Sequence, residues 1–168
     1  MGEEKATRAS LSTAPHGYRR KRAFTVKEAN AALPLVLAIV SDLVGLARDV
    51  TERRHRLLSL SRSGRRRGTD PYEEELVHME RELEMDGRRI LEYVEELRQL
   101  GVEAKSATEG LVDFPAVFDG RTVYLCWRLG EPEVSYWHEL DAGFRGRKLL
   151  GSMKADGVEP GGGKAGMN

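Results

Sequence analysis

Residues 111–129 read LVDFPAVFDGRTVYLCWRL and contain the clearest structural signal in the chain. At their centre, Asp119-Gly120 is a dipeptide typical of a two-residue β-turn. Runs rich in β-branched and aromatic residues flank the dipeptide on both sides. We therefore predict an antiparallel hairpin made of the strands Leu111–Phe118 and Arg121–Leu129.

A third strand is predicted after this hairpin. Gly130-Glu131-Pro132 is a turn signal, and it leads into a further β-forming run, Glu133–Leu140. The result is a three-stranded antiparallel meander, to which Val102–Lys105 can add a fourth strand at one edge.

Pairing across the two turns predicts which side chains share a face, because side chains alternate along a strand. The first turn places Phe114 opposite Leu125, and the second places Leu125 opposite Tyr136. One face is then almost wholly apolar and consists of Val112, Phe114, Ala116, Val123, Leu125, Trp127, Val134, Tyr136 and His138. A face of this kind needs a covering layer of helices.

The opposite face has an unusual composition for a solvent-facing surface. It is predicted to carry Asp113, Cys126 and Ser135 in one row across the strands, and Pro115, Tyr124 and Trp137 in the next. Such a mixture of aromatic and mildly polar side chains is typical of a face that contacts a partner, a second subunit or a ligand. Residues Ala142–Leu150 could instead fold back over it, and the sequence leaves both alternatives open.

The chain before the sheet has the pattern of helices. Thr25 and Glu28 form a capping box at the start of a short helix, Val26–Ala32. Pro34 has no amide hydrogen and disfavours a helical conformation at Leu33. We therefore predict a break at Leu33–Pro34 and a long helix from Pro34 to about Arg62.

Two stripes of apolar residues predict that this long helix packs against another. The stripes are Val36, Val40, Leu43, Ala47, Val50 and Leu57, and then Leu76, Met79, Leu83, Gly87, Ile90, Val94 and Leu97. Most steps are of three or four residues, as in coiled coils. In an antiparallel register, Val50 lies beside Leu83. Ala47 then meets Asp86 and Gly87, where we expect a close approach of the two helices. The predicted fold class is α+β: a long helical hairpin over residues 26–100, capped at its base by a small antiparallel sheet.

Composition excludes several classes of protein. The chain has 168 residues, with 27 Lys+Arg, 27 Asp+Glu and one Cys. One domain over residues 23–150 fits this length, and the single cysteine excludes an internal disulfide. The longest apolar run, Leu33 to Val40, is too short to cross a bilayer, and there is no secretory signal. We expect a cytoplasmic protein without a membrane partner, with a disordered basic tail (1–22) and a disordered glycine-rich tail (151–168).

The turn between the helices carries a basic cluster, Arg65–Arg67. Unopposed arginines of this kind could bind the phosphates of a nucleic acid. Here the next helix begins with acidic residues, Asp70 and Glu73–Glu75, which neutralise the cluster and complement the helix dipole. These acidic neighbours, together with the zero net charge of the whole chain, disfavour a nucleic-acid accessory role.

A set of short motifs runs through residues 24–150. In order, they are Phe24-Thr25 with Glu28-Ala29-Asn30, Leu33-Pro34, Gly110-Leu111-Val112-Asp113-Phe114-Pro115-Ala116, Val123-Tyr124-Leu125-Cys126-Trp127, Gly130-Glu131, Trp137-His138 and Gly143-Phe144 with Arg147. Together they resemble the bacterial family called domain of unknown function 2203. Because that family is uncharacterised, the resemblance supports the domain boundaries and implies no substrate, cofactor or catalytic residue.

Six residues of the sheet region are candidates for a ligand or partner site: Asp113, Cys126, Glu131, Trp137, His138 and Arg147. A metal site would need Cys126 and His138 together, but the predicted register places them on opposite faces. We therefore assign no metal ligand and no cofactor. The charge of Asp113 would raise the pKa of the Cys126 thiol, which disfavours a nucleophilic role. Asp113 itself is expected to anchor backbone amides or to pair with Arg147.

The sequence as a whole favours a non-catalytic binding or self-assembly module. Such a module would contact a second copy or another protein through the helices or through the face with Cys126 and Trp137. No phosphate-binding loop, nucleophile elbow or HExxH motif is present, so no catalytic residue is assigned. The alternative is an enzyme, or a small-ligand or metal-binding protein, with its site around Asp113, Cys126, Trp137 and His138.

Overall fold

A long helical hairpin and a five-stranded sheet form the protein. The computed structural model describes residues 22–62 and 70–154. The elements are α1 (Val26–Arg62), α2 (Asp70–Gln99), β1 (Glu103–Ser106), β2 (Leu111–Phe118), β3 (Arg121–Arg128), β4 (Tyr136–Glu139) and β5 (Lys148–Leu149), with short 3₁₀ helices at Phe144–Gly146 and Leu150–Lys154. The predicted α+β class is confirmed. The Arg65–Arg67 cluster and most of both predicted tails lie outside the described residues.

Helix α1 is continuous, so the predicted break at Leu33–Pro34 is wrong. A proline inside a helix removes one hydrogen bond and costs about 3 kcal/mol. Here Ala29 and Val36, on either side of Pro34, are fully buried in the core. The packing of both flanks against the sheet stabilises the helix through the proline. The predicted capping box is present, since the Thr25 amide donates to Glu28 Oε2 at 2.8 Å.

The apolar stripes of both helices face inward, as predicted. Val36, Val40, Leu43, Ala47 and Val50 are buried in α1, as are Leu83 and Leu97 in α2. The expected close approach at Gly87 is wrong, however. The nearest atom to a Cβ at that position is Arg54 Nη2, at 3.7 Å, so a long side chain covers the glycine.

The sheet is antiparallel, with its strands in the order β1-β2-β3-β4-β5. It has one strand more than the sequence predicted, because residues 142–150 return along β4 and form β5. One face packs on the base of the hairpin, where Phe114, Leu125 and Trp127 share a core with Val40 and Leu43.

The predicted register is confirmed for one turn and wrong for the other. Across Asp119-Gly120, Phe114 pairs with Leu125 and Asp113 with Cys126, as expected. Between β3 and β4, Leu125 pairs with Trp137 rather than Tyr136. This shift of one residue turns every side chain of β4 to the other face. Trp137 therefore lies in the core, and Tyr136 and His138 lie on the opposite face.

The shift arises because the chain between β3 and β4 bonds to other groups before pairing begins. Glu131 closes the turn, its amide donating to the Arg128 carbonyl and its Oε2 accepting from the Arg128 amide. The amide of Val134 donates to Asn30 Oδ1 of α1 at 2.8 Å. Val134 is thereby held in the core, and the pairing of β4 with β3 begins only at Tyr136.

Contrary to the expectation from the longest uninterrupted apolar run, α1 is long and apolar enough over residues 26–60 to cross a membrane by length and composition alone. A core helix of a soluble protein passes the same test. In this fold, Val36, Val40, Leu43 and Val44 of α1 are buried in the core. Only 28% of the apolar window is buried, and a single helix of this kind is weak evidence for a membrane location.

Candidate functional site

Strand alternation aligns a set of polar side chains on the face of the sheet away from the helices. Glu103, Asp113, Cys126 and Tyr136 occupy successive strands, each paired with the next. The neighbouring row carries His138, paired with Tyr124. The corrected register therefore brings the cysteine and the histidine to one face.

Asp113, Cys126 and His138 form a compact buried cluster. A carboxylate oxygen of Asp113, Sγ of Cys126 and a ring nitrogen of His138 all lie within 4.8 Å of one another. The three residues are 2%, 0% and 2% exposed. Oxygen, sulfur and nitrogen donors thus meet in a site shielded from water.

Hydrogen bonds fix the orientation of the His138 ring. Its Nδ1 lies 2.7 Å from the carbonyl oxygen of Glu139, which can only accept, so Nδ1 carries a hydrogen. Its Nε2 lies 3.1 Å from Asp113 Oδ2. With Nδ1 protonated, the contact between Nε2 and Oδ2 needs a further proton between these two atoms. A metal ion that replaced this proton would meet the lone pair of Nε2, as in metal-binding histidines.

Asp113 has an incomplete set of partners. Its Oδ2 contacts His138, whereas its Oδ1 is buried and has no hydrogen-bond partner among the described residues. Burial raises the pKa of Asp113, and the nearby His138 and Lys105 oppose that rise in part. A buried carboxylate oxygen without a partner is costly, and it calls for an explanation at this position.

The Cys126 thiol is neutral in this arrangement. Burial and the nearby charge of Asp113 raise its pKa to about 12, although Arg147 acts in the opposite direction. Both ring nitrogens of His138 are already engaged, so neither is placed to remove the thiol proton. The geometry supports the prediction that Cys126 is not an activated nucleophile.

Three side chains cover the cluster at the β1 edge. Lys105 Nζ lies 2.7 Å from Glu103 Oε2 and 3.9 Å from Asp113 Oδ2. The Tyr124 hydroxyl donates to the same Glu103 oxygen at 3.0 Å, and the Lys105 ammonium lies over its ring. Burial disfavours the charge of Lys105, but the hydrogen bond and charge of Glu103 raise its pKa. Glu103 and Lys105 were absent from the predicted site residues.

Arg147 covers the cluster from the C-terminal side. Its guanidinium lies 4.1 Å from the ring centre of Tyr136 and 4.2 Å from that of Phe144. Its Nη1 is 2.6 Å from Glu131 Oε1, a charge contact without the angle of a directed hydrogen bond. The expected pairing of Asp113 with Arg147 is therefore wrong, because Asp113 pairs with His138 and Arg147 with Glu131.

Most of the chain matches a known protein family. The model of the family DUF2203, described as an uncharacterized conserved protein, matches residues 22–150. The chain belongs to this family. No curated protein and no solved structure matches it.

Of the six candidate residues, this DUF2203 domain brings three into the cluster: Asp113, Cys126 and His138. Glu131 and Arg147 lie beside it, and Trp137 lies in the core on the other face. No local signal distinguishes the two registers. Tyr136 and Trp137 are both large enough for the core, so alternation along the strand allows either of them to face inward.

Proposed function

We propose that this DUF2203 domain binds one divalent transition-metal ion through Asp113, Cys126 and His138. The observation that carries the proposal is the meeting of three different ligand atoms within 4.8 Å at a buried place. Asp113 also has a buried oxygen, Oδ1, without a hydrogen-bond partner among the described residues. A cation held by both oxygens of this carboxylate would satisfy Oδ1.

The chemistry of the donors favours an ion of the zinc class. Thiolate, imidazole and carboxylate are all zinc ligands, whereas magnesium and calcium prefer oxygen alone. A dication held by one thiolate, one carboxylate and a neutral imidazole has no net charge. Such a site can be buried without the large cost of an uncompensated ion.

The spacing of the side chains also suits one ion. Metal bonds of about 2.0–2.3 Å place the ligand atoms of a tetrahedral site roughly 3.3–3.6 Å apart. His138 Nε2 and Asp113 Oδ2 are 3.1 Å apart, close to that spacing. The Cys126 sulfur lies within 4.8 Å of both atoms, so bringing it to the same spacing shortens each distance by about 1.2 Å at most.

The Glu139 carbonyl supplies the outer support that such sites use. By accepting from Nδ1, it holds His138 in the orientation that directs Nε2 to the ion. Carbonyl or carboxylate partners of this kind orient metal-binding histidines in general.

Zinc titration of the metal-free protein, followed by calorimetry and by thermal unfolding, tests this function. We expect one ion per chain and a higher Tm with zinc, because the folded state binds the ion. Cys126→Ser and His138→Gln should each lose the stabilisation. His78→Gln is the matched control, since His78 lies on α2 with its side chain 73% exposed. Failure of the wild type to bind, or unchanged binding in Cys126→Ser, would contradict the proposal.

A second candidate function is self-assembly through the helices. Large apolar side chains remain 38–67% exposed there, namely Leu35, Leu37, Leu58, Leu60, Val77, Met85 and Leu91. Apolar surface of this kind is often an interaction site. Light scattering should then give a mass above the 18.8 kDa of one chain, which falls in a Leu35→Ser, Leu37→Ser double variant. A wild-type mass of one chain would exclude self-assembly.

A further inference from the structure

A tetrahedral site enclosed by protein usually takes four protein ligands. Asp113, Cys126 and His138 provide three, so the identity of the fourth is the next question. The candidates are the polar side chains that cover the cluster: Glu103, Lys105 and Tyr124 at the β1 edge, and Glu131 and Arg147 on the other side.

We infer that Glu103 is the fourth ligand, and that its carboxylate turns from Lys105 to the ion when the metal binds. The inference rests on the proposed metal-binding function. Glu103 is the direct cross-strand neighbour of Asp113 and shares its face of the sheet. Opposite side chains of an antiparallel pair have Cβ atoms about 4.5–5.5 Å apart, which is within reach of one ion.

The position of Lys105 connects the two carboxylates. Its ammonium lies 2.7 Å from Glu103 Oε2 and 3.9 Å from Asp113 Oδ2, so one cation already bridges the groups that the metal would bridge. Lys105 is the extra residue of a β-bulge, because Ala104 pairs with Val112 and Ser106 with Leu111. Bulges commonly direct side chains at functional sites.

Charge balance favours Glu103 in this role. A dication with Glu103, Asp113, a Cys126 thiolate and neutral His138 carries one net negative charge. The adjacent Lys105 ammonium compensates that charge. Lys105 therefore compensates the charge of the carboxylates when no metal is bound, and the net charge of the complete site when the metal is bound.

The competing carboxylate, Glu131, is held more firmly. Its Oε2 accepts from the Arg128 amide at 2.9 Å, and its Oε1 contacts Arg147 at 2.6 Å. Releasing Glu131 would open the turn that sets the register of β4. Glu103 lies on the edge strand β1, where it contacts Lys105 and Tyr124 and 25% of its side chain is exposed.

Absorption spectra of the Co²⁺-bound protein test the inference, with Glu103→Gln compared to Lys105→Gln and Glu131→Gln. The thiolate-to-cobalt charge-transfer band reports binding to Cys126, and the visible bands report the geometry and the remaining ligands. We expect Glu103→Gln to keep the charge-transfer band, to change the visible bands and to lose about tenfold or more in affinity. Lys105→Gln should keep the visible bands of the wild type and lose less affinity than Glu103→Gln, because Lys105 balances the charge of the site but is not a ligand. Glu103→Asp makes the same comparison if the amide variant does not fold.

Three results would overturn the inference. Glu103→Gln with wild-type spectra and affinity would exclude Glu103 as a ligand. Equal losses in Glu103→Gln and Lys105→Gln would show that Glu103 acts only through Lys105, and a selective loss in Glu131→Gln would assign the position to Glu131. Absence of a charge-transfer band in the wild type would instead refute the proposed function itself.

Discussion

Gly110, which directly precedes β2, lies close to helix α1 and to Leu129. Its φ is +66°, and a Cβ there would lie 2.7 Å from Leu129 Cβ and 3.0 Å from Val40 Cγ1 and Val44 Cγ2. Replacing Gly110 therefore costs stability in two ways. The left-handed backbone disfavours a side chain, and the added Cβ overpacks the contact. Gly110→Ala should lower the free energy of unfolding by about 2–4 kcal/mol, measured by urea denaturation.

Gly120→Ala separates these two costs. Gly120 has a similar φ of +73°, but a Cβ there would meet nothing within 4 Å. In this variant the free energy of unfolding should fall by only about 1 kcal/mol, because only the left-handed backbone disfavours alanine here. Equal losses in the two variants would show that the contact with α1 contributes nothing.

At the level of the elements, helices α1 and α2 tolerate the glycines at positions 45 and 87 rather than requiring them. A Cβ at Gly87 would meet only the flexible end of Arg54, at 3.7 Å, and one at Gly45 would meet nothing within 4 Å. Because alanine favours a helix over glycine, Gly87→Ala and Gly45→Ala should each raise the free energy of unfolding by about 0.5–1 kcal/mol. If only Gly87→Ala lowered the free energy of unfolding, the result would support the close approach of the helices that the sequence predicted.

The register of β4 depends on a contact between elements far apart in the chain. Asn30 accepts the Val134 amide through Oδ1, and its Nδ2 donates to the Val26 carbonyl. Asn30→Ala leaves the amide of a buried residue without a partner, so urea denaturation should show a loss of about 1–3 kcal/mol. Asn30→Asp keeps an acceptor for Val134 and should lose less. A larger loss in Asn30→Asp would contradict this role for the acceptor.

For the molecule as a whole, local signals predicted most of the architecture. The Asp119-Gly120 turn sets the pairing of β2 with β3, and the apolar spacing of α1 and α2 sets the hairpin seam. Both depend on residues near one another in sequence, where turn chemistry and periodicity act directly.

The site itself depended on a contact that local signals do not contain. The one-residue shift at β4 follows from the bond between Val134 and Asn30, which are 104 residues apart. With the wrong register, His138 was assigned to the core and Trp137 to the opposite face. The sequence predicted that Asp113 and Cys126 lie together, because the β2–β3 turn is local. It did not predict that His138 completes the cluster.

Anomalous diffraction at the zinc edge, from crystals grown with zinc, tests the central claim most directly. We predict a single buried peak about 2.3 Å from Cys126 Sγ and about 2.0–2.1 Å from His138 Nε2, with an Asp113 oxygen at about 2.0–2.2 Å. A map with no density between these three side chains, and zinc only at exposed groups such as His78, would contradict the account.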